Sequence, residues 1–304
     1  HQDGSILDDV LSDLPRYVER DPELGVLLHK LRSAGKRLFL LTNSGPEYTE
    51  AMMSYLLGGA LEEYPNWRNY FDFAVTAAKK PSFFTGKARF VDAKTSAPTT
   101  EPERGQLYLG GNIADLERAL GYSGDEVLYV GDHIYGDVLR AKKESTWRTA
   151  MIIQEMDDEL RVLREHSVSF ERSTSLEQTR DALQDQLREQ QARLKRVERK
   201  LSDSELGSEK ASFEAKRVLH RRSIDRLRAQ LKELDAERAE LDGALDQAFH
   251  PFWGSVFKAG SEVSSFGSQI EQYAGIYTSR ATNLAQYSPM HYFRSPRHRM
   301  PHEL

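Results

Sequence analysis

The chain has no cysteine. Disulfide scaffolds, thiol nucleophiles and Cys-ligated zinc or iron–sulfur centres are therefore excluded. A reducing compartment fits that absence, and a cytoplasmic location is the expectation. Long apolar runs are missing too. The run Leu38-Phe39-Leu40-Leu41 has the length of a strand, far short of the roughly 18–20 residues that a membrane span needs, so no membrane partner is expected. Neither sign of charge dominates, with 42 Lys and Arg against 47 Asp and Glu and a net charge of -5. No global field draws such a chain to nucleic acid or to an anionic membrane. The start, His1-Gln2-Asp3-Gly4, has no basic region followed by an apolar stretch, which argues against a signal peptide. It also has no initiator Met, and the chain reads as a piece of a longer protein.

What is present is enough for about two domains: 304 residues, 39% of them hydrophobic and 10% aromatic. Charged residues reach 29%, so one part of the chain is expected to be solvated rather than core. Residues 1–156 alternate short apolar runs with amphipathic stretches. Strands are expected at 37–41, 73–76, 107–109, 127–130 and 149–153. Helices are expected before the first of these, ending at Gly35, and from Pro46 to about Leu57. Strand, loop, helix, strand is the signature of a parallel α/β sheet, whose ligands sit at the carboxyl ends of the strands. Residues 157–248 change character. Leucines and other apolar residues recur at heptad-like spacing over 176–201 and again over 224–245, with Arg238 in an apolar slot and a turn near Gly207. This predicts an antiparallel helical hairpin of coiled-coil type. A spacer or homo-oligomerisation arm is the plain reading. Nucleic-acid binding is disfavoured, because acids are interleaved with its arginines. Residues 249–304 are aromatic and end in basic residues and histidines. They read either as a segment packed back on the α/β core or as a basic tail for phosphates.

Three places put chemistry at strand ends. Val127–Val130 runs into Gly131-Asp132, with a second acid at Asp137. Gly131 permits a sharp turn, and Asp132 at the strand end suits a hard cation such as magnesium, which takes carboxylates plus phosphate oxygens. Taken alone, Asp137 reads equally as a helix cap. After the first strand, Thr42-Asn43-Ser44 offers hydroxyls and backbone N–H groups to a phosphate, or an ordinary cap for the next helix. After the second strand, Lys80 offers a cation for phosphate charge, a weak signal by itself. Gly110-Gly111-Asn112 before a helix is weak as well.

Together and in this order, Thr42, Lys80 and Asp132 with Asp137 resemble motifs two, three and four of the haloacid dehalogenase-like superfamily. Phe39–Ser44, Tyr70-Phe71-Asp72, Lys80–Phe84, Gly131–Asp137, Trp147-Arg148-Thr149 and the closing Met300-Pro301-His302-Glu303 are similar to the cytosolic purine 5'-nucleotidases of IMP/GMP type. That resemblance implies a Rossmann-like α/β core with a helical insertion and a purine nucleoside monophosphate substrate. It also implies hydrolysis through an aspartyl-phosphate with Mg2+. Carried over by position, Thr42, Asn43 and Ser44 hold the phosphate and Lys80 neutralises it. Asp132 ligates magnesium, while Asp137 orients Lys80 and supports the metal shell. His133 lines the pocket or is an exposed loop residue, and His1 aligns with a base-contacting histidine.

One family element is missing. Motif one, Asp-x-Asp-x-Thr/Val, which supplies the nucleophile and the general acid/base, occurs nowhere in the sequence. The chain as given is expected not to complete a turnover, with the nucleophile upstream of His1. The alternatives are a catalytically silent interaction protein on the same scaffold, or a related phosphatase with a non-nucleotide substrate.

Overall fold

The structure is a computed structural model that describes residues 5–202, 209–260 and 262–293. His1 and the turn around Gly207 lie outside them. The chain forms two compact units. One holds the described residues up to Met156 together with those from Ser265 onward, and the other spans Asp157–Ser264.

The first unit is α/β. Its strands are β1 (Phe39–Leu41), β2 (Phe73–Thr76), β3 (Phe90–Asp92), β4 (Pro98–Thr99), β5 (Leu107–Gly110), β6 (Leu128–Gly131) and β7 (Arg148–Ile152). After β8 (Lys258–Ala259) and β9 (Glu262–Val263), a short hairpin of the second unit, β10 (Ile276–Thr278) returns to the first. The five strands expected from the sequence are present, with ends shifted by at most two residues. β2 is buried at all four positions, as a parallel strand covered on both faces should be.

The expectation of one continuous parallel sheet is not met. One sheet has the order β1-β2-β5-β3-β4, with β1, β2 and β5 parallel and the β3–β4 hairpin antiparallel on its edge. The other has the order β10-β7-β6 and is parallel throughout. β1 and β6 are thus both edge strands. Side chains rather than a ladder join the two sheets. Phe39 of β1 stacks on Tyr129 of β6 with ring centroids 6.4 Å apart and lies 5.7 Å from Trp147. One buried cluster includes Leu41, Val75, Phe84, Tyr108, Tyr129 and Trp147, so it draws on both sheets.

The loops at the strand ends are fixed locally. Asp72 is buried just before β2. It accepts the Leu38 N–H at 2.8 Å and meets Arg32 at 3.3 Å and Arg104 at 2.6 Å, which ties the starts of β1 and β2 together. Asn112 caps the helix Ile113–Leu120 by accepting the Asp115 N–H, and Gly121 ends that helix in the left-handed region.

In the second unit, the helices Ser167–Leu201 and Lys210–Ala248 run antiparallel, with ion pairs Arg172–Glu237, Arg180–Asp235 and Arg221–Glu198 between them. Leu176, Val197, Ile224, Leu227, Leu234 and Leu245 form the buried seam. Leu231 is only half-buried. Arg238, in its apolar slot, reaches Glu177 of the opposing helix at 3.7 Å and Asp242 of its own at 3.3 Å. Among the described residues, no helix is long and apolar enough to cross a membrane.

Candidate active site

The site gathers where β1, β2 and β6 end. The loop after β2 folds back on the loop after β1 through backbone bonds from Ala77 N–H to Ser44 and from Ala78 N–H to Thr42. Making that turn puts Ala77 and Lys79 at φ 44° and 57°, in the left-handed region that non-glycine residues seldom visit. Asn43 closes the junction. Its side-chain oxygen accepts the Lys80 N–H at 2.6 Å, and its amide donates to the Lys80 carbonyl at 3.0 Å. Both ends of the Asn43 amide are therefore spent on the Lys80 main chain. Thr42 accepts the Ser44 N–H at 3.1 Å through its hydroxyl, a turn local to the loop. Neither caps the following helix Pro46–Leu57, whose N-cap Gly45 has no side-chain bond.

Lys80 then points across the gap between the two sheets. Its ammonium donates to the Leu41 carbonyl of β1 at 3.1 Å, to the Tyr129 hydroxyl of β6 at 2.9 Å and to Asp137 at 2.6 Å. Tyr129 in turn donates to the same Asp137 oxygen at 2.8 Å. The Lys80 and Asp137 side chains are 10% and 6% exposed, so this is a nearly dry ion pair with each donor matched to an acceptor. Burial, and then the charge of Asp137, push the Tyr129 phenol above its ordinary value, so it stays a proton donor.

Asp137 reaches this position through an irregular turn. Ile134–Leu139 is a π-helix, a form common at functional sites. His133 is its cap, accepting the Gly136 N–H on Nδ1 at 2.9 Å. The second Asp137 oxygen accepts the His133 N–H at 3.3 Å. Asp137 therefore does not serve as an exposed helix cap. Gly131 is required by this approach, because a Cβ there would lie 2.7 Å from the Asp137 Cβ.

Asp132 makes no hydrogen bond or ion pair with this cluster, although its charge also acts on Tyr129. It is exposed, and its carboxylate has no partner among the described residues. With His133 it lines an open cavity of about 390 Å³, whose walls include Ile134, Met151, Ile153 and Phe266. Thr42, Lys80 and Asp137 do not line that cavity. Among the described residues, no three His, Asp or Glu side chains come together as a cation site. An open carboxylate suits a hard cation in kind, since magnesium accepts one or two protein carboxylates and fills its shell with water and phosphate oxygens. Glu155 lines the same cavity and is exposed as well, so the open carboxylates there are Asp132 and Glu155, while Asp137 is engaged by Lys80 and Tyr129.

Similarity to known proteins agrees with this geometry. Residues 1–304 match the 5' nucleotidase family from end to end. The chain belongs to that family. It is 30% identical over 313 residues to a 5'-nucleotidase domain-containing protein of Dictyostelium discoideum, covering all of this chain and 47% of that one. It is 27% identical over 309 residues to 5'-nucleotidase domain-containing protein 2 of Homo sapiens, again over the whole chain and 52% of the relative. The chain thus spans about half the length of these relatives. Within the family chain, sequence reasoning had not singled out Tyr129 as a site residue, although it lies three residues before Asp132 on the strand that delivers it.

Proposed function

We propose that the chain is part of a cytoplasmic, magnesium-dependent 5'-nucleotidase that hydrolyses purine nucleoside 5'-monophosphates of IMP/GMP type through an aspartyl-phosphate. The observation that carries this reading is the Lys80 ammonium, held by Asp137, Tyr129 and the Leu41 carbonyl at the carboxyl ends of β1 and β6. A fixed, nearly dry cation at such a place suits the charge of a transferring phosphoryl group. Family membership supports the reaction class, and the relatives' names carry the same nucleotidase domain.

In this reading the nucleophile and the general acid/base are the two acids of an Asp-x-Asp segment outside these residues. The open edges of β1 and β6 support a strand from that segment entering between them. The first acid attacks phosphorus as the ester bond to the 5' oxygen breaks. The second protonates the leaving nucleoside and then activates the water that releases phosphate. Thr42 and Ser44 bind phosphate oxygens through their hydroxyls, and Asn43 fixes the Lys80 backbone. Lys80 neutralises the phosphoryl oxygens, and Asp137 with Tyr129 keeps its ammonium aimed. Asp132 is the residue that would hold Mg2+, which supplies further charge neutralisation when bound. His133 borders the substrate, and His1 contacts the base.

The test is phosphate release from a panel of nucleoside monophosphates and non-nucleotide esters, using the protein with its preceding region and magnesium. IMP and GMP should be the best substrates, and Asp132→Asn should lower turnover by about two orders of magnitude with the fold intact. Full turnover in Asp132→Asn would remove the metal assignment. Hydrolysis of non-nucleotide esters alone would replace the substrate. No hydrolysis at all would leave the silent interaction protein.

A further inference from the structure

We infer that the helical arm is a self-association surface whose occupant is the arm of a second copy of this chain, laid antiparallel to it. The inference stands on the distribution of charge along the arm and is independent of the catalytic reading. Acids and bases do alternate from turn to turn, but over half the arm's length they separate. Toward the connection between the helices, Gln190–Leu201 carries five Lys and Arg against the single acid Glu198. Facing it, Lys210–Arg228 carries seven against Glu214 and Asp225. The other half is reversed. Glu171–Glu189 has five acids against three arginines, and Glu233–Asp246 has six against Arg238 alone. Pairing inside the arm leaves much of this unspent. Among the described residues, Arg222, Arg226 and Arg228 at the basic end have no ion-pair partner, and neither do Glu233, Glu240 and Asp246 at the acidic end. All six are exposed.

A nucleic acid or anionic membrane would gain from the basic half and be repelled by the acidic half. A parallel second arm would set base on base. An antiparallel copy matches both halves at once, and its two-fold symmetry repeats every pairing. Helices of 35 and 39 residues are about 52 and 58 Å long. That is length enough for the roughly 1,200–2,000 Å² buried by a stable complex. Exposed apolar side chains lie toward opposite ends, Val218 and Leu219 on the basic half and Val168 beyond the acidic half.

The test measures mass in solution for the full chain at about 50 mM and 500 mM salt, because the screening length of exposed charges falls from roughly 14 Å to roughly 4 Å over that range. A dimer is expected at low salt and its dissociation at high salt. The variant Arg222→Glu/Arg226→Glu/Arg228→Glu removes most of the positive excess of the basic half, and Glu233→Lys/Glu240→Lys/Asp246→Lys removes most of the negative excess of the acidic half. Each alone should associate at least tenfold more weakly, while a one-to-one mixture should restore association as a heterodimer. Helical circular dichroism shows whether the arms remain folded. If either variant unfolds, single cysteines placed in this cysteine-free chain replace it. An Arg222→Cys copy should then cross-link to a Glu240→Cys copy more than either does to itself. Mass that ignores both salt and charge reversal overturns the inference, as does a mixture that stays apart. Charge-reversal-sensitive binding to RNA or phosphatidylserine vesicles by a chain that stays monomeric would likewise overturn it and assign the basic half to that ligand.

Discussion

Tyr129 belongs at once to a packed aromatic cluster and to the charged centre of the site. Its ring stacks on Phe39 and meets Phe84 and Trp147 at centroid distances of 6.0 and 5.7 Å, while its hydroxyl joins Lys80 to Asp137. Tyr129→Phe separates those roles, since it keeps the ring and removes only the hydroxyl. The phenol is held protonated by burial, so the change deletes hydrogen bonds and no charge. Stability should fall by about 1–2 kcal/mol, the cost of two neighbours losing a buried partner. In the protein with its preceding region, kcat should fall about tenfold with KM nearly unchanged, because the loosened group is Lys80 rather than a substrate contact. Unchanged kcat in a stably folded Tyr129→Phe would mean that Lys80 needs no help beyond Asp137. Lys80 and Asp137 were legible as site candidates only through the resemblance of the ordered set Thr42, Lys80, Asp132 and Asp137 to family motifs, since alone Lys80 is a weak signal and Asp137 reads equally as a helix cap. Tyr129 was not, because an aromatic inside an apolar run reads as core. The role of Asn43 was equally hidden. Its partners are the Lys80 backbone groups, 37 residues away, and only the fold brings them within hydrogen-bond distance.

At the scale of elements, hydrophobic period was a good guide wherever a segment was long or closely bounded by turns. The five strands expected in the first unit formed, and both arm helices contain the expected heptad runs. The three-residue β10 and the β3–β4 hairpin had no such signal. Their strands are too short to show alternation, and pairing with β7 and β5 makes them strands. Within the arm, the heptad points to Leu231 and Leu234 as equal members of the seam. The structure separates them: Leu234 is 9% exposed and Leu231 only half-buried. Leu234→Ala should therefore destabilise the arm by roughly 2–4 kcal/mol, and Leu231→Ala by about half of that or less. Thermal melts of helical circular dichroism on the two single variants measure the difference. Equal losses would show that the two positions share the seam as the bare heptad implies.

At the scale of the whole molecule, the two sheets leave a pair of edges that ordinary proteins protect. Alternate residues of a strand bond to the same neighbour. In β1, Thr42 N–H bonds to Val75 and Asp72 N–H to the Leu38 carbonyl, so Leu38, Leu40 and Thr42 face β2. Phe39 and Leu41 then face the open edge, where Lys80 takes the Leu41 carbonyl. In β6, Arg148 N–H bonds to the Val127 carbonyl, so Val127, Tyr129 and Gly131 face β7. Leu128 and Val130 are left to the other edge. These outward groups flank the end of the Lys80 side chain, where the proposed Asp-x-Asp strand would deliver its nucleophile. Hydrogen exchange tests this directly. In residues 1–304 alone, the amides of Phe39, Leu41, Leu128 and Val130 should exchange much faster than those of Leu40, Tyr129 and Gly131, which lie in ladders. In the protein with its preceding region, all should exchange slowly, since a strand entering between β1 and β6 would give each a partner. Replacing both acids of the preceding Asp-x-Asp by Asn should abolish turnover and leave that protection in place. If the four amides stay fast in the longer protein, no strand enters between the sheets, and the nucleophile must reach Lys80 by another route.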